Sequence, residues 1–194
     1  MRSSSRFWHR PAAFFSFLLS LFAPAAARAD FFPTPWLDVP YVTSSHDVVD
    51  AMLMLAKVGR NDIVYDLGCG DGRIVIAAAR KHGARGVGID LDPERIADAR
   101  ENARSAGVEG RTTFRTGDLF KEDFSDATVV MLYLFPQINQ KLRPQLWRQL
   151  RAGTRVVSNS FDMGPEWPAE RTERVGDKTL YYWTIRNEHK KMAN

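Results

Sequence analysis

Apolar residues change their spacing several times along this chain, and each change marks an element. From Ser45 onward, Val48, Val49, Met52, Leu53, Leu55 and Ala56 recur at helical spacing, with Ser44 or Ser45 as the cap and Gly59 as the stop. The unbroken run Ile63–Leu67 predicts a short buried strand. A glycine turn follows over Gly68–Gly72, and then a helix from Arg73 to His82 that Gly83 ends. Gly86–Asp90 predicts the next strand. Asp92-Pro93 places a capping carboxylate before a proline at the first helical position, opening a helix that runs to Ala106 and stops at Gly107.

Further along, a strand is expected near Thr112–Arg115 and an apolar strand over Ala127–Leu134, followed by a helix around Gln137–Leu150 that starts or kinks near Pro144. Thr154–Ser160 reads as another strand. Glu173–Val175 and Lys178–Ile185 are β-rich runs joined by Gly176-Asp177, a two-residue hairpin signal. Strands alternating with helices predict an α/β fold, a three-layer sandwich. Its Rossmann-like, mostly parallel sheet has seven strands, these segments, and ends in a C-terminal antiparallel hairpin. In such sheets a ligand sits beyond the carboxyl ends of the strands, where the strand order reverses.

The first 29 residues follow different rules. Arg2, Arg6 and Arg10 make a basic start, the stretch from Ala12 to Ala27 is apolar, and Ala27-Arg28-Ala29 offers small residues suited to signal cleavage before Asp30. The stretch is short for a spanning helix and Pro24 interrupts it. Residues 1–29 are therefore expected to be a signal peptide or an N-terminal membrane anchor, and residues 30–194 the functional domain, exported (periplasmic) or anchored at a membrane. This segment also carries the charge imbalance. Four of the 27 basic residues and none of the 23 acidic ones precede Asp30, so residues 30–194 are neutral overall. A bulk basic footprint for nucleic acid is absent. Cys69 is the only cysteine, which excludes an intrachain disulfide.

The chemistry concentrates at three successive strand ends. Asp66-Leu67-Gly68-Cys69-Gly70-Asp71-Gly72 leaves a strand and enters a helix, where glycines let the backbone turn and approach a ligand closely. Asp90 ends the next strand and can accept hydrogen bonds from both hydroxyls of a ribose. Asp118, in Gly117-Asp118-Leu119, ends the third and can meet an adenine. A dinucleotide site needs G-x-G-x-x-G facing a pyrophosphate. Here the glycines run G-x-G-x-G behind an acid, and a carboxylate beside the ligand repels a pyrophosphate but suits a cationic amino group.

With these residues in view, the chain resembles the class I S-adenosylmethionine (SAM)-dependent methyltransferases, whose first motif Asp66–Gly72 matches. Tyr41–Ala56 and the stretches 65–79, 132–136 and 155–161 are similar to a narrower group. It holds bacterial proteins of uncharacterised substrate and the mitochondrial lysine methyltransferases acting on the membrane rotor protein of ATP synthase. The resemblance implies SAM as cofactor, held by Tyr41, Thr43, Asp66, Gly68, Cys69, Gly70, Asp90, Leu91, Asp118 and Leu119. It also puts the methyl acceptor against Tyr133, Phe135 and Pro136. The implied activity is N-methylation of a protein lysine by in-line transfer in an aromatic-lined pocket. Two alternatives stay open: a small-molecule methyltransferase, and an exported non-catalytic module binding an adenosine-like ligand or a protein.

Other residues are weighed against these. The segment Phe161-Asp162 to Trp167-Pro168 is expected either to wall the acceptor pocket or to be a loop pinned by Trp167. At least one face of Tyr181, Tyr182 and Trp183 should be core. An acid- or amide-Pro-Pro-aromatic motif, which nucleic-acid amino-methylating enzymes carry, is replaced by Tyr133-Leu134-Phe135-Pro136, so no nucleic-acid partner is expected. His46, His82 and His189 are scattered, and no metal is expected.

Overall fold

The computed structural model describes residues 44–193. The export or anchoring segment, the lead-in 30–42, and Tyr41 and Thr43 lie outside the described residues. The elements run α1 (His46–Leu55), β1 (Ile63–Leu67), α2 (Arg73–His82), β2 (Arg85–Asp90), α3 (Pro93–Ser105), a single 3-10 turn (Glu109–Arg111) and β3 (Thr112–Thr116). They continue with β4 (Val129–Leu132), α4 (Pro136–Gln149), β5 (Arg155–Asn159), β6 (Arg171–Val175), β7 (Lys178–Thr184) and α5 (Asn187–Met192).

These strands form one seven-stranded sheet in the order β3-β2-β1-β4-β5-β7-β6. All neighbours from β3 to β5 pair in parallel, and β7 alone runs against the rest. Order reverses between β1 and β4, so the crevice beyond Leu67 and Leu132, which pair with each other, is the switch point. Both faces are covered, which is why β4 is apolar at every position. Val64, Val129, Met131, Val157 and Leu180 pack under α1 and α2. Tyr65, Leu67, Val130, Leu132, Val156 and Trp183 pack on the opposite face with Leu142, Leu146 and Trp147 of α4.

Local chemistry sets most boundaries. Asp92 accepts from the Glu94 amide at 2.8 Å and caps α3, whose first residue is Pro93. Gly83 takes a left-handed φ of 67° and ends α2. Four boundaries differ from expectation. The left-handed residue after α1 is Lys57, at φ 52°, rather than Gly59, whose amide instead donates to Asp62 Oδ2 at 2.8 Å. Strand β4 stops at Leu132, so Tyr133 and Phe135 stand beyond it. Asp118 lies two residues past the end of β3, in a turn rather than at the strand terminus. Helix α4 passes through Pro144 without restarting; Pro144 and Gln140 are exposed, so water can meet the unpaired carbonyl.

Both faces of β7 are core, with Leu180 on the α1 side and Trp183 on the α4 side. Trp167 joins Trp183 there, which makes the end of the loop after β5 a pinned segment: Trp167 is buried, and its carbonyl accepts from Trp183 Nε1 at 2.8 Å. His189 stacks on Trp147 at 5.4 Å, and its Nδ1 accepts from the Arg186 amide at 3.0 Å. Burial between these rings pulls the imidazole below its ordinary pKa. His82 lies in the last turn of α2, at the opposite end of the sheet from the crevice.

Candidate functional site

The carboxyl ends of β1, β2 and β3 lie side by side along one edge of the sheet, next to the switch point, and the first carries the glycine turn. Gly68, Gly70 and Gly72 take φ of 86°, 51° and 78°, the left-handed region that side chains resist. At Gly72 a Cβ would also stand 2.7 Å from the Phe114 ring and 2.9 Å from Ala99, so glycine is required twice over. The turn is locked to β2, because the Gly68 and Cys69 amides donate to the Ile89 carbonyl at 2.8 and 3.0 Å. Cys69 contributes backbone only: its thiol packs with Val75 and Phe114, and burial pushes its pKa upward.

Asp66 is the penultimate residue of β1, beside the glycine turn. It is 3% exposed and accepts no hydrogen bond among the described residues. Burial first, then the charges of Asp90 and Asp71, push its carboxyl up to about 8. A buried carboxylate with acidic neighbours and no donor is matched to a cation. Asp71 is engaged by Arg73, whose Nη2 meets Oδ2 at 2.6 Å, and Arg73 Nη1 donates to the Ser44 carbonyl at 2.6 Å. Ser44 Oγ accepts in turn from Asn159 Nδ2 at 3.0 Å, which brings the residue following Thr43 to the same edge.

Asp90 is the hinge between the first two strand ends. Its Oδ2 accepts from the Gly70 amide at 2.8 Å and its Oδ1 from the Asp92 amide at 3.0 Å. Each carboxylate oxygen retains a second lone pair for a ligand hydroxyl. Leu91 follows it, half-buried. Asp118 turns back on its own chain: Oδ1 accepts from the Phe120 amide at 3.1 Å, and Lys121 stands 3.3 Å from Oδ2. Leu119 is half-buried on the main core, and its carbonyl accepts from Gln145 Nε2 at 3.0 Å.

Beyond the end of β4 an aromatic cluster forms. Tyr133 stacks on Phe161 at 6.4 Å, and Phe135 meets Phe161 edge-on at 5.9 Å. Pro136 opens α4 directly behind them. The β6–β7 turn brings Lys178 to this edge. A hydrogen bond to Asp177, and then the neighbouring Tyr133 hydroxyl, hold its ammonium above the usual lysine pKa. Sequence reasoning named Asp66, Asp90 and the aromatic turn but missed Lys178 and Asn139. For Asn139 the signal was present: it falls on the stripe of Leu142 and Leu146, where a polar residue has no reason to be.

Comparison with known proteins places this arrangement. Residues 66–171 match the family model of the ANTKMT methyltransferase domain. A protein-lysine N-methyltransferase of Saccharolobus islandicus is 43% identical over 157 residues, 78% of this chain and 96% of that protein. The adenine nucleotide translocase lysine N-methyltransferase of Mus musculus is 37% identical over 147 residues, and the match spans 76% of this chain but 62% of the mouse protein. Among solved structures, one titled an RNA methyltransferase from Salinibacter ruber, bound to S-adenosyl-L-homocysteine, superposes with a TM-score of 0.74. It is 57% identical and the match covers 75% of this chain and 95% of that one. The chain belongs to the ANTKMT methyltransferase domain family and is a SAM-dependent methyltransferase.

Proposed function

We propose that this enzyme methylates the side-chain nitrogen of protein lysines, with the acceptor entering the slot of Tyr133, Phe135, Pro136 and Phe161. The observation that carries this reading is the half-buried aromatic cluster of Tyr133, Phe135 and Phe161 beyond the end of β4, with the Lys178 ammonium beside the Tyr133 hydroxyl. An ammonium entering a desolvated aromatic slot loses its proton more readily, which exposes the nitrogen lone pair without a strong base. SAM, when bound, supplies a methyl group activated by its sulfonium. The acceptor nitrogen would take that methyl group as the sulfur–carbon bond breaks, with the amine proton passing to solvent. The chain's contribution is alignment and exclusion of water.

For the cofactor, Asp66 is proposed to face the amino group, Asp90 the ribose hydroxyls, and Asp118 with Leu91 and Leu119 the adenine. The backbone of Gly68, Cys69 and Gly70 gives close approach, with Tyr41 and Thr43 against the methionine end. The fit rests on Asp66, which is buried, acidic and without a hydrogen-bond donor among the described residues. Asp90→Ala is expected to weaken SAM by about tenfold or more, since a hydrogen bond to a charged group contributes about 1.5–3 kcal/mol. Calorimetric titration checks it, and an unchanged affinity would remove Asp90 from the site.

Lysine methyltransferases among the relatives favour protein lysine, while the RNA methyltransferase of Salinibacter ruber makes RNA the second reading. Charge gives RNA no support: residues 30–194 carry 23 acidic and 23 basic side chains, so there is no net basic excess for a phosphate backbone. Incubation with methyl-labelled SAM, protein and RNA decides between them. Label recovered as methyl-lysine after proteolysis is expected; label released by ribonuclease would overturn the reading. The N-terminal segment is proposed to bring the domain to a membrane. Among the described residues no helix is long and apolar enough to cross one.

A further inference from the structure

The first turn of α4 carries an amide where its apolar stripe should continue. Asn139, Leu142 and Leu146 share a face, and all three are fully buried. Asn139 Nδ2 stands 3.2 Å from Ser158 Oγ, 3.2 Å from the Phe161 carbonyl and 3.3 Å from the Asp162 carbonyl. Its Oδ1 is buried with no partner among the described residues. An amide at this position leaves an acceptor open that a leucine of similar size would not introduce, so packing alone does not require it. What the residue does is done by its amino end, whose two hydrogens serve oxygens from β5 and from the loop after it.

Those oxygens belong to the acceptor slot. Tyr133 and Phe135 precede α4, Asn139 lies in its first turn, and Phe161 follows β5; one side chain therefore ties the two arms of the slot together. The carbonyl of Phe161 is held while its ring packs on Tyr133 and Phe135. We propose that Asn139 is the positioning residue of the acceptor slot, fixing the Phe161–Asp162 backbone so that the Phe161 ring stays against Tyr133 and Phe135. The inference rests on that slot receiving the methyl acceptor, and it names the residue that sets acceptor specificity.

The test uses full-length Asn139→Ala, Phe161→Ala and the double variant, with Asn139→Leu keeping the buried volume as a control for folding. SAM affinity is read by calorimetry, KM and kcat with poly-L-lysine, and hydrogen exchange across residues 160–164. SAM affinity is expected to stay within about twofold, while KM rises by about tenfold in either single variant with kcat less affected. The double variant is expected to be no worse than Phe161→Ala, because Asn139 acts through that ring. Exchange across 160–164 is expected to quicken in Asn139→Ala and Asn139→Leu. Fully additive effects, a matching loss of SAM affinity, or unchanged exchange would overturn the proposal. If wild type leaves poly-L-lysine unmethylated, the lysine reading fails, and SAM affinity with hydrogen exchange still decides the role of Asn139.

Discussion

Asp66→Asn is expected to lower SAM affinity by about 100-fold or more and, without cofactor, to raise the melting temperature at pH 8. Both effects come from one carboxyl group. Asp66 is 3% exposed, and its pKa is pushed up to about 8 by burial and by the charges of Asp90 and Asp71. The unfolded chain ionises this group near pH 4. Between about pH 4 and pH 8 the folded protein therefore holds a proton that the unfolded chain has lost. Stability without cofactor is fully kept at the acid end of that window, falls as pH rises through it, and levels above pH 8. Asparagine cannot ionise, so the variant lacks this slope. The cofactor ammonium reverses the balance: it favours the ionised carboxylate, so SAM affinity is expected to rise between pH 6 and pH 7.5 and to do so only when Asp66 is present. Losing one partner of a buried charge pair costs about 3–5 kcal/mol, hence the size of the expected loss. Thermal melts from pH 5 to pH 8, with and without SAM, measure both limbs; parallel profiles for wild type and variant would show that Asp66 is neither perturbed nor facing the cofactor.

The largest loss of stability is expected for Trp183→Ala, at about 3–5 kcal/mol. Trp183 is fully buried, its ring lies 5.6 Å from Trp167, and its Nε1 donates to the Trp167 carbonyl. Removing it opens a cavity on the α4 face and strips a buried carbonyl of its donor. Trp167 in turn packs 5.6 Å from Trp147 and 5.2 Å from His189, so the loop after β5, β7 and the C-terminal helix α5 all depend on this cluster. The melting temperature is expected to fall by about 10 °C or more for a domain of this size. A fall of one or two degrees would mean that the cluster repacks and does not hold the C-terminal third of the fold. Because Phe161 begins the same loop, acceptor KM is expected to worsen near the melting transition before SAM affinity does.

Much of this was legible in the chain because the signals were local. Asp92-Pro93 at the start of α3 and Gly83 at the end of α2 act through nearby backbone, and the structure keeps both. The motif from Asp66 to Gly72 was legible for the same reason, since its three left-handed glycines lie within one turn. Other readings failed where several local signals competed or packing overrode one. Gly59 was available to stop α1, but the chain already turns at Lys57, and the Gly59 amide donates a hydrogen bond to Asp62. Pro144 looks like a breaker, yet α4 is held through it by Leu142, Leu146 and Trp147 on one face. The slot was half visible. Tyr133, Phe135 and Asn139 stand close together in sequence, whereas Phe161 and Lys178 reach them only through the pairing of β4, β5 and β7.

Calorimetric titration of the wild-type protein with SAM at pH 7.5, beside Asp66→Asn and Asp90→Ala, tests the central claim most directly. One SAM bound per chain, with both variants weakened and Asp66→Asn the weaker, is the expected result. Equal affinity in all three would place the cofactor elsewhere than the crevice between β1 and β4, and with it the chemistry assigned to that edge.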